Sequence, residues 1–338
     1  MNNDSRNREW TARDLIGISG AYWAGCALQA AVQLDIFTIL HDGPQDSGEL
    51  AARLGCNERA LGMLLGALAS MGIIERNNTT VSAVSSALPF LSRKSPDYAG
   101  FIIKHHFNIM PGWSRLDKAV LTGSSTADKS TRYTPDPAER EDFLMGMFNI
   151  ARLQAEQIAG ALDLSGRKRL IDVGGGPGTY ALYFCKQNPQ LRATVFDLPT
   201  TQPFAVKTIA SFGLESRVEF VAGNFLNDDL PKGHDVAWLS QVLHGASPAG
   251  AAELIRNAAS CLVPGGLVCV QEFVLDEDRN GPEHAALFSL NMLVQTPGGQ
   301  AYTAGEIGDM LRAAGAVTIS VLDAELPMSC KVVMGQLP

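Results

Sequence analysis

Leu170-Ile-Asp-Val-Gly-Gly-Gly-Pro-Gly178 is the stretch that decides the fold. Leu170 to Val173 reads as a short buried strand, and the glycines must then turn the chain into a helix that starts near Thr179. A strand, a glycine turn and a helix N-terminus leave bare backbone where a nucleotide-like ligand can approach without meeting a Cβ. Glycines at 174, 176 and 178 follow an acid, Asp172. The dinucleotide fingerprint, started at Gly174, needs glycine or alanine where Thr179 stands. No Tyr-x-x-x-Lys hydride-shuttle pair accompanies it either, so a nicotinamide oxidoreductase is disfavoured.

The neighbours of this turn extend the pattern. Arg192-Ala-Thr-Val-Phe-Asp197 reads as a second strand ending in an acid, at the spacing a βαβ unit requires, and Asp197 could accept both ribose hydroxyls of an adenosine. Arg217 to Phe225 reads as a third strand, whose tip (Gly223, Asn224, Phe225) can reach an adenine edge. Asp235 to Ser240 is a fourth, running into Gln241-Val-Leu-His244. A fifth, Leu267 to Glu272, follows the turn Leu262-Val-Pro-Gly-Gly266. Strands alternating with helical segments predict an α/β fold with a parallel sheet and helices on both faces. Ligands in such sheets sit at the carboxyl ends of the strands, where Gly174, Asp197, Asn224, His244 and Glu272 all fall.

At 338 residues the chain has room for two cores, and 46% hydrophobic with 18% charged residues is ordinary for a globular protein. The net charge of −8, with no long run of like charge, gives a nucleic-acid partner little support. The start, Met-Asn-Asn-Asp-Ser-Arg-Asn-Arg-Glu-Trp, lacks the apolar region of a secretory signal, and no apolar run approaches membrane-spanning length, so no membrane partner is expected. The six scattered cysteines form no C-x-x-C pair, which reads as reduced thiols in a cytoplasmic protein.

Residues 11–40 form an apolar, alanine-rich helical stretch suited to close helix packing. Ser47 as N-cap, Gly55 as helix stop and Asn57 opening the next helix mark a helix-turn-helix. A hairpin over residues 73–82, with Asn77-Asn78 at its tip, then predicts a winged-helix domain. A DNA-binding regulator is the rival from another class. Its reading helix would offer one cation, Arg59, beside Glu58, and residues 1–100 hold eight Lys or Arg against ten Asp or Glu. Electrostatics therefore oppose DNA, and the apolar helix faces suit protein–protein packing.

With these motifs the chain resembles the two-domain O-methyltransferase family that includes hydroxyindole, caffeate, flavonoid and bacterial polyketide enzymes. The D-x-G-x-G-x-G turn is similar to that of class I S-adenosylmethionine-dependent methyltransferases. Pro111 to Gly123 resembles a "W–L–AV–G" segment, Phe143-Leu-Met-Gly-Met-Phe148 an "F–AM" helix, and Leu243-His244 the position of a catalytic histidine. The resemblance implies a winged-helix dimerisation domain (1–100), connecting helices that line the acceptor pocket (101–164) and a catalytic domain (165–338). It implies S-adenosylmethionine held by Asp172, Gly174, Gly175, Gly176, Asp197, Leu198, Gly223, Asn224, Phe225, Ser240 and Gln241. It further implies a small-molecule acceptor, and a homodimer whose N-terminal domain helps close the partner's pocket.

Methyl transfer is an in-line displacement that needs no metal. A hydroxyl acceptor must lose a proton, and imidazole, with an unperturbed pKa near 6.5, suits a general base. His244 takes that role by resemblance, with Glu272 orienting its ring. Asp172 reads as an organiser of the glycine loop. Tyr133, Phe143, Met147, His105 and His106 are candidate acceptor contacts; the adjacent histidines lack carboxylate spacing for a metal. Phe143, Met147 and Ile150 share a helix face. Three features depart from the family. Gly245-Ala246 follows the histidine in place of Asp-Trp, Ala301 stands where a second pocket glutamate belongs, and Asn224 replaces an aspartate but keeps an acceptor oxygen. The absent glutamate suggests an alternative: S-methylation of a small thioether acid such as methylthio-hydroxybutyrate, which has no proton to remove. Its carboxylate would call for a cation or imidazole such as Arg140, Arg152, His105 or His106.

Overall fold

The structure, a computed structural model, describes residues 9–127 and 136–338. The chain divides into two compact units that meet between Phe107 and Asn108.

The first unit opens with helices Ala12–Gly20 and Tyr22–Gln33. Thr11 caps the first, its hydroxyl accepting from the Asp14 amide while the Asp14 carboxylate takes the Thr11 amide. Residues 15–33 carry no charge, and by length and composition Ala12–Gln33 is long and apolar enough to cross a membrane. This corrects the expectation that no apolar run approaches that length. Leu15, Ile16, Ile18, Tyr22 and Trp23 are all exposed.

Helices Ile36–Leu40, Ser47–Leu54 and Glu58–Ser70 follow, with strands β1 (Gln45–Asp46), β2 (Ile74–Asn77) and β3 (Thr80–Ala83). The N-cap of the second of these helices is Asp46, where the sequence pointed to Ser47. Asp46 is extended, as a cap requires, and its carboxylate accepts from the Gly48 and Glu49 amides. Gly55 ends that helix at φ 64°, and the Asn57 side chain accepts from the Ala60 amide to start the next. The hairpin turns at Asn78, at φ 54°, and its strand β3 is flanked by β2 and β1. The short β1 was not anticipated. Phe37, Leu50, Leu65, Leu68 and Val81 form the core.

The second unit carries a seven-stranded sheet of β4 (Arg169–Val173), β5 (Arg192–Asp197), β6 (Val218–Ala222), β7 (His234–Ser240), β8 (Leu262–Phe273), β9 (Thr318–Val321) and β10 (Cys330–Gln336). Their spatial order is β6-β5-β4-β7-β8-β10-β9. Strands β4 to β8 pair in parallel, so their carboxyl ends share one edge. β10 runs antiparallel to both β8 and β9, so the sheet is mixed where a parallel one was expected. β9 and β10 adjoin in sequence through a short connection, which permits antiparallel pairing without a crossover helix. Alternate residues feed two cores. Leu170, Val195, Trp238, Cys269 and Val332 pack with helices Ala155–Ala161 and Thr179–Gln187. Ile171, Val173, Leu239, Val270 and Val333 pack with Pro248–Ser260 and Ala304–Ala313.

Candidate active site

The glycine loop leaves β4 through Gly174, which sits at φ 68° and donates its amide to the Phe196 carbonyl at 2.8 Å. A Cβ there would lie 2.7 Å from Val242 Cγ1 and 3.0 Å from Phe225 Cε1. At Gly175 it would lie 2.6 Å from Asp172 Cγ. Gly176 (φ 55°) and Gly178 (φ 83°) complete the turn in conformations that disfavour side chains. Gly178 then caps helix Thr179–Gln187. The loop is therefore bare where β4 ends, and packed tightly from below.

Asp197, at the end of β5, is tied into that loop. Its Oδ2 accepts from the Gly176 amide at 2.8 Å, and its Oδ1 from the Leu198 amide at 2.6 Å and the Thr201 hydroxyl at 2.9 Å. Gly223 donates to the Asp197 carbonyl at 2.9 Å and lies so close to Phe196 that a Cβ would come within 2.2 Å of its ring. Asn224 turns the chain after β6. Its side-chain oxygen accepts from the Leu226 amide at 3.1 Å, and its own amide donates to Asp228. The acceptor oxygen foreseen for adenine thus already has one partner within its loop.

β7 ends at Ser240, and Gln241 follows at φ 56°, a sharp reversal that delivers the turn Leu243–Gly245. Glu272, near the end of β8 and 1% exposed, holds this turn. Its Oε1 accepts from the Leu243 amide at 2.8 Å and the His244 amide at 3.3 Å; its Oε2 pairs with His244 Nδ1 at 2.7 Å. Pairing through Nδ1 turns Nε2 away from Glu272, and in the tautomer that donates from Nδ1 it is Nε2 that holds the lone pair. The Phe288 ring meets His244 edge-on at 4.8 Å. From below, Gly299 leaves no room: a Cβ there would lie 2.2 Å from the His244 carbonyl oxygen. Tyr302, fully buried, donates its hydroxyl to the Ala246 carbonyl at 2.6 Å.

Beneath the cleft, one face of the sheet presents a polar row at the carboxyl edge. Ser240 donates to the Gln271 side chain opposite it in register. Asp172 lies on the same face, fully buried, with neither oxygen in hydrogen-bonding geometry. Burial pushes its pKa up to about 7; the Ala181 amide opposes this in part and the Asp197 charge reinforces it. The folded state thus retains a proton that the unfolded chain releases near 3.8. This contribution to stability is present at acid pH and is lost as pH rises towards about 7. Asp172→Asn should therefore gain stability relative to the parent between pH 5 and 8 by urea denaturation, whereas a pH-independent difference would contradict it.

Ala301, at the position of the absent second glutamate, is buried with Phe273, Leu275 and Ala285. Helix Pro137–Arg152 buries Arg140 and Leu144, whereas Phe143, Met147 and Ile150 lie half-buried on it. Tyr133 lies outside the described residues. His105 and His106 belong to the first unit; His105 is buried, and burial followed by the neighbouring His106 charge pushes it down to about 4, while His106 is exposed. Among the described residues no cluster of His, Cys, Asp or Glu could hold a metal. Sequence reasoning missed Thr201, Phe288 and Tyr302, each of which reaches the site by a fold-dependent contact. Thr201, four residues beyond Asp197, is the one that spacing could have revealed.

Residues 16–87 match the O-methyltransferase dimerisation domain and residues 119–316 the O-methyltransferase domain. The chain is 34% identical over 330 residues to a 3-hydroxy-5-methyl-1-naphthoate 3-O-methyltransferase of Streptomyces sahachiroi, covering 95% of this chain and 94% of that one. It is 33% identical over 307 residues to the tetracenomycin polyketide synthesis 8-O-methyl transferase TcmO of Streptomyces glaucescens, covering 89% and 90% respectively. Among solved structures, PigF with SAH matches at a TM-score of 0.89 and 27% identity, over 97% of this chain and 100% of that one.

Proposed function

The chain belongs to the O-methyltransferase family and is an S-adenosylmethionine-dependent methyltransferase; on that premise we propose that it methylates a hydroxyl on a small aromatic acceptor, with His244 as general base. The observation that carries this reading is the 2.7 Å pairing of His244 Nδ1 with Glu272, which directs the ring's basic nitrogen away from the carboxylate. The relatives reported above act at oxygen on a naphthoate and on a polyketide. The thioether alternative has no support among them.

The cleft residues fit the cofactor. Gly176, at φ 55° and with open space where a Cβ would stand, leaves bare backbone beside the cleft, and Asp197 Oδ2, which meets the Gly176 amide, keeps lone-pair capacity for a ribose hydroxyl. Gly174, Gly175, Gly176, Leu198, Ser240 and Gln241 would border it, with Gly223, Asn224 and Phe225 at the adenine end and Asp172 supporting the loop. Bound there, it supplies a methyl group on a sulfonium sulfur that departs as a neutral thioether. His244 Nε2 takes the acceptor's proton, Glu272 holds the ring and stabilises the imidazolium that forms, and the Phe288 edge keeps water from one side of the ring. Phe143, Met147, Tyr133, His105 and His106 are proposed acceptor contacts. A methyl-transfer screen over hydroxynaphthoates, other phenols, hydroxy acids and thioether acids tests the reading by locating the added mass; methylation at sulfur alone would sink it.

The N-terminal domain reads as a winged helix adapted to dimerisation, in a cytoplasmic protein without nucleic-acid or membrane partners. The exposed Leu15, Ile16, Ile18, Tyr22 and Trp23 fit burial against a second copy. Light scattering should give a dimer for the parent and a monomer for the double variant Ile16→Arg, Trp23→Glu. A parent that is monomeric would contradict the assignment, and a parent that partitions onto vesicles would redirect that face to a membrane.

A further inference from the structure

The contacts that fix Asp197 continue outward to a guanidinium. Arg140 lies in helix Pro137–Arg152 and is only 8% exposed. Its Nη2 donates to Thr200 Oγ1 at 2.9 Å and to Thr201 Oγ1 at 3.0 Å. Thr201, itself fully buried, donates to Asp197 Oδ1 at 2.9 Å. A guanidinium can only donate, so a hydroxyl that accepts from it must turn its single proton elsewhere, and here the carboxylate receives it. With Oδ1 held in this way, Oδ2 is left to meet the Gly176 amide at 2.8 Å. An unbroken series of hydrogen bonds therefore joins Arg140, through Thr201 and Asp197, to the glycine loop.

We propose that Arg140 is a positioning residue for cofactor binding: acting through the Thr201 hydroxyl, it sets the orientation of the carboxylate that receives the ribose. This rests on the reading of Asp197 as the ribose acceptor. A threonine hydroxyl beside a lone carboxylate can rotate among three staggered positions. The always-charged guanidinium removes that freedom, and it keeps its charge across the working pH range. Sequence reasoning offered Arg140 as a partner for an acceptor carboxylate; its hydrogen bonds to Thr200 and Thr201 lie on the cofactor side.

Calorimetry with two ligands decides the matter: S-adenosylhomocysteine, and 5′-methylthioadenosine, which has the ribose but lacks the amino-acid end. Arg140→Ala should weaken both by the same factor, about tenfold for one hydrogen bond to a charged group. Thr201→Val should do likewise, Thr201→Ser should retain parental affinity, and the double variant Arg140→Ala, Thr201→Val should be no weaker than either single one. KM for the cofactor should rise while kcat at saturation holds. Loss confined to S-adenosylhomocysteine would mean that the guanidinium grips the amino-acid end directly, and would overturn the proposal. Additive losses, a Thr201→Ser variant as weak as Thr201→Val, or no loss would also overturn it. If Arg140→Ala does not fold, the two Thr201 variants still decide. Asp197→Ala separates the layers: undiminished binding there sinks the ribose reading itself, whereas weakened binding with intact Arg140→Ala and Thr201→Val affinities sinks only the relay.

Discussion

His244→Ala should lower kcat for a hydroxyl acceptor by about 100-fold or more while leaving cofactor affinity within about twofold, because a positioned general base contributes roughly 10²–10⁴-fold. The fold should survive the change. Glu272 loses its pairing with Nδ1 but keeps the Leu243 and His244 amides, so its buried charge retains two donors. Thermal unfolding of the variant close to that of the parent would confirm that activity, not folding, is being read. Single-turnover rates with the acceptor identified by the screen, set beside calorimetric affinity for S-adenosylhomocysteine, check the claim. A rate within tenfold of the parent would remove His244 from the chemistry.

Asp197→Ala is the second large effect, and it should appear in binding rather than in the chemical step. The substitution removes the acceptor for the Gly176 and Leu198 amides and the Thr201 hydroxyl, and with it the proposed acceptor for the ribose. A hydrogen bond to a charged group at about 1.5–3 kcal/mol corresponds to a roughly 10- to 100-fold loss of affinity, before any loosening of the loop is counted. Calorimetry with S-adenosylhomocysteine should register this, and an affinity within threefold of the parent would rule out the ribose role.

Five of the seven strands in the catalytic sheet could be read from apolar runs ending in Gly, Asp or another polar residue. β8, however, starts earlier than its run: residues 262–266, expected as a turn, belong to the strand, set off by a register shift against β7. β9 and β10 escaped detection for a physical reason. Thr318–Val321 is a largely exposed edge strand, and Cys330–Gln336 contains Lys331 and Gly335, so neither carries a clean apolar pattern. The register of β10 is set by β8, some sixty residues earlier, through pairs such as Val333 with Val270, and β9 takes its register from β10. Glu272 and His244 were legible as a pair because one falls near the end of β8 and the other in the turn just past β7. Tyr302 and Phe288 were not, since their contacts with the His244 turn come from helix and loop packing that no local pattern encodes. The same holds for helix Pro137–Arg152. Its apolar face drew attention to Phe143 and Met147, while the fold buries the polar Arg140 instead.

The turn that bears His244 is gripped by pieces remote from one another in the chain: Glu272 from a strand, Gly299 beneath the carbonyl, and Tyr302 on Ala246. Phe288 and Asn291 come from a separate element, helix Glu283–Gln295, where Asn291 also receives the Trp113 indole N–H at 2.8 Å. The proposed base and the ring packed against it therefore answer to different stretches of sequence. Over evolutionary time such an enzyme can drift towards acceptors of new shape by altering that helix, while the turn held by Glu272, Gly299 and Tyr302 is inherited unchanged.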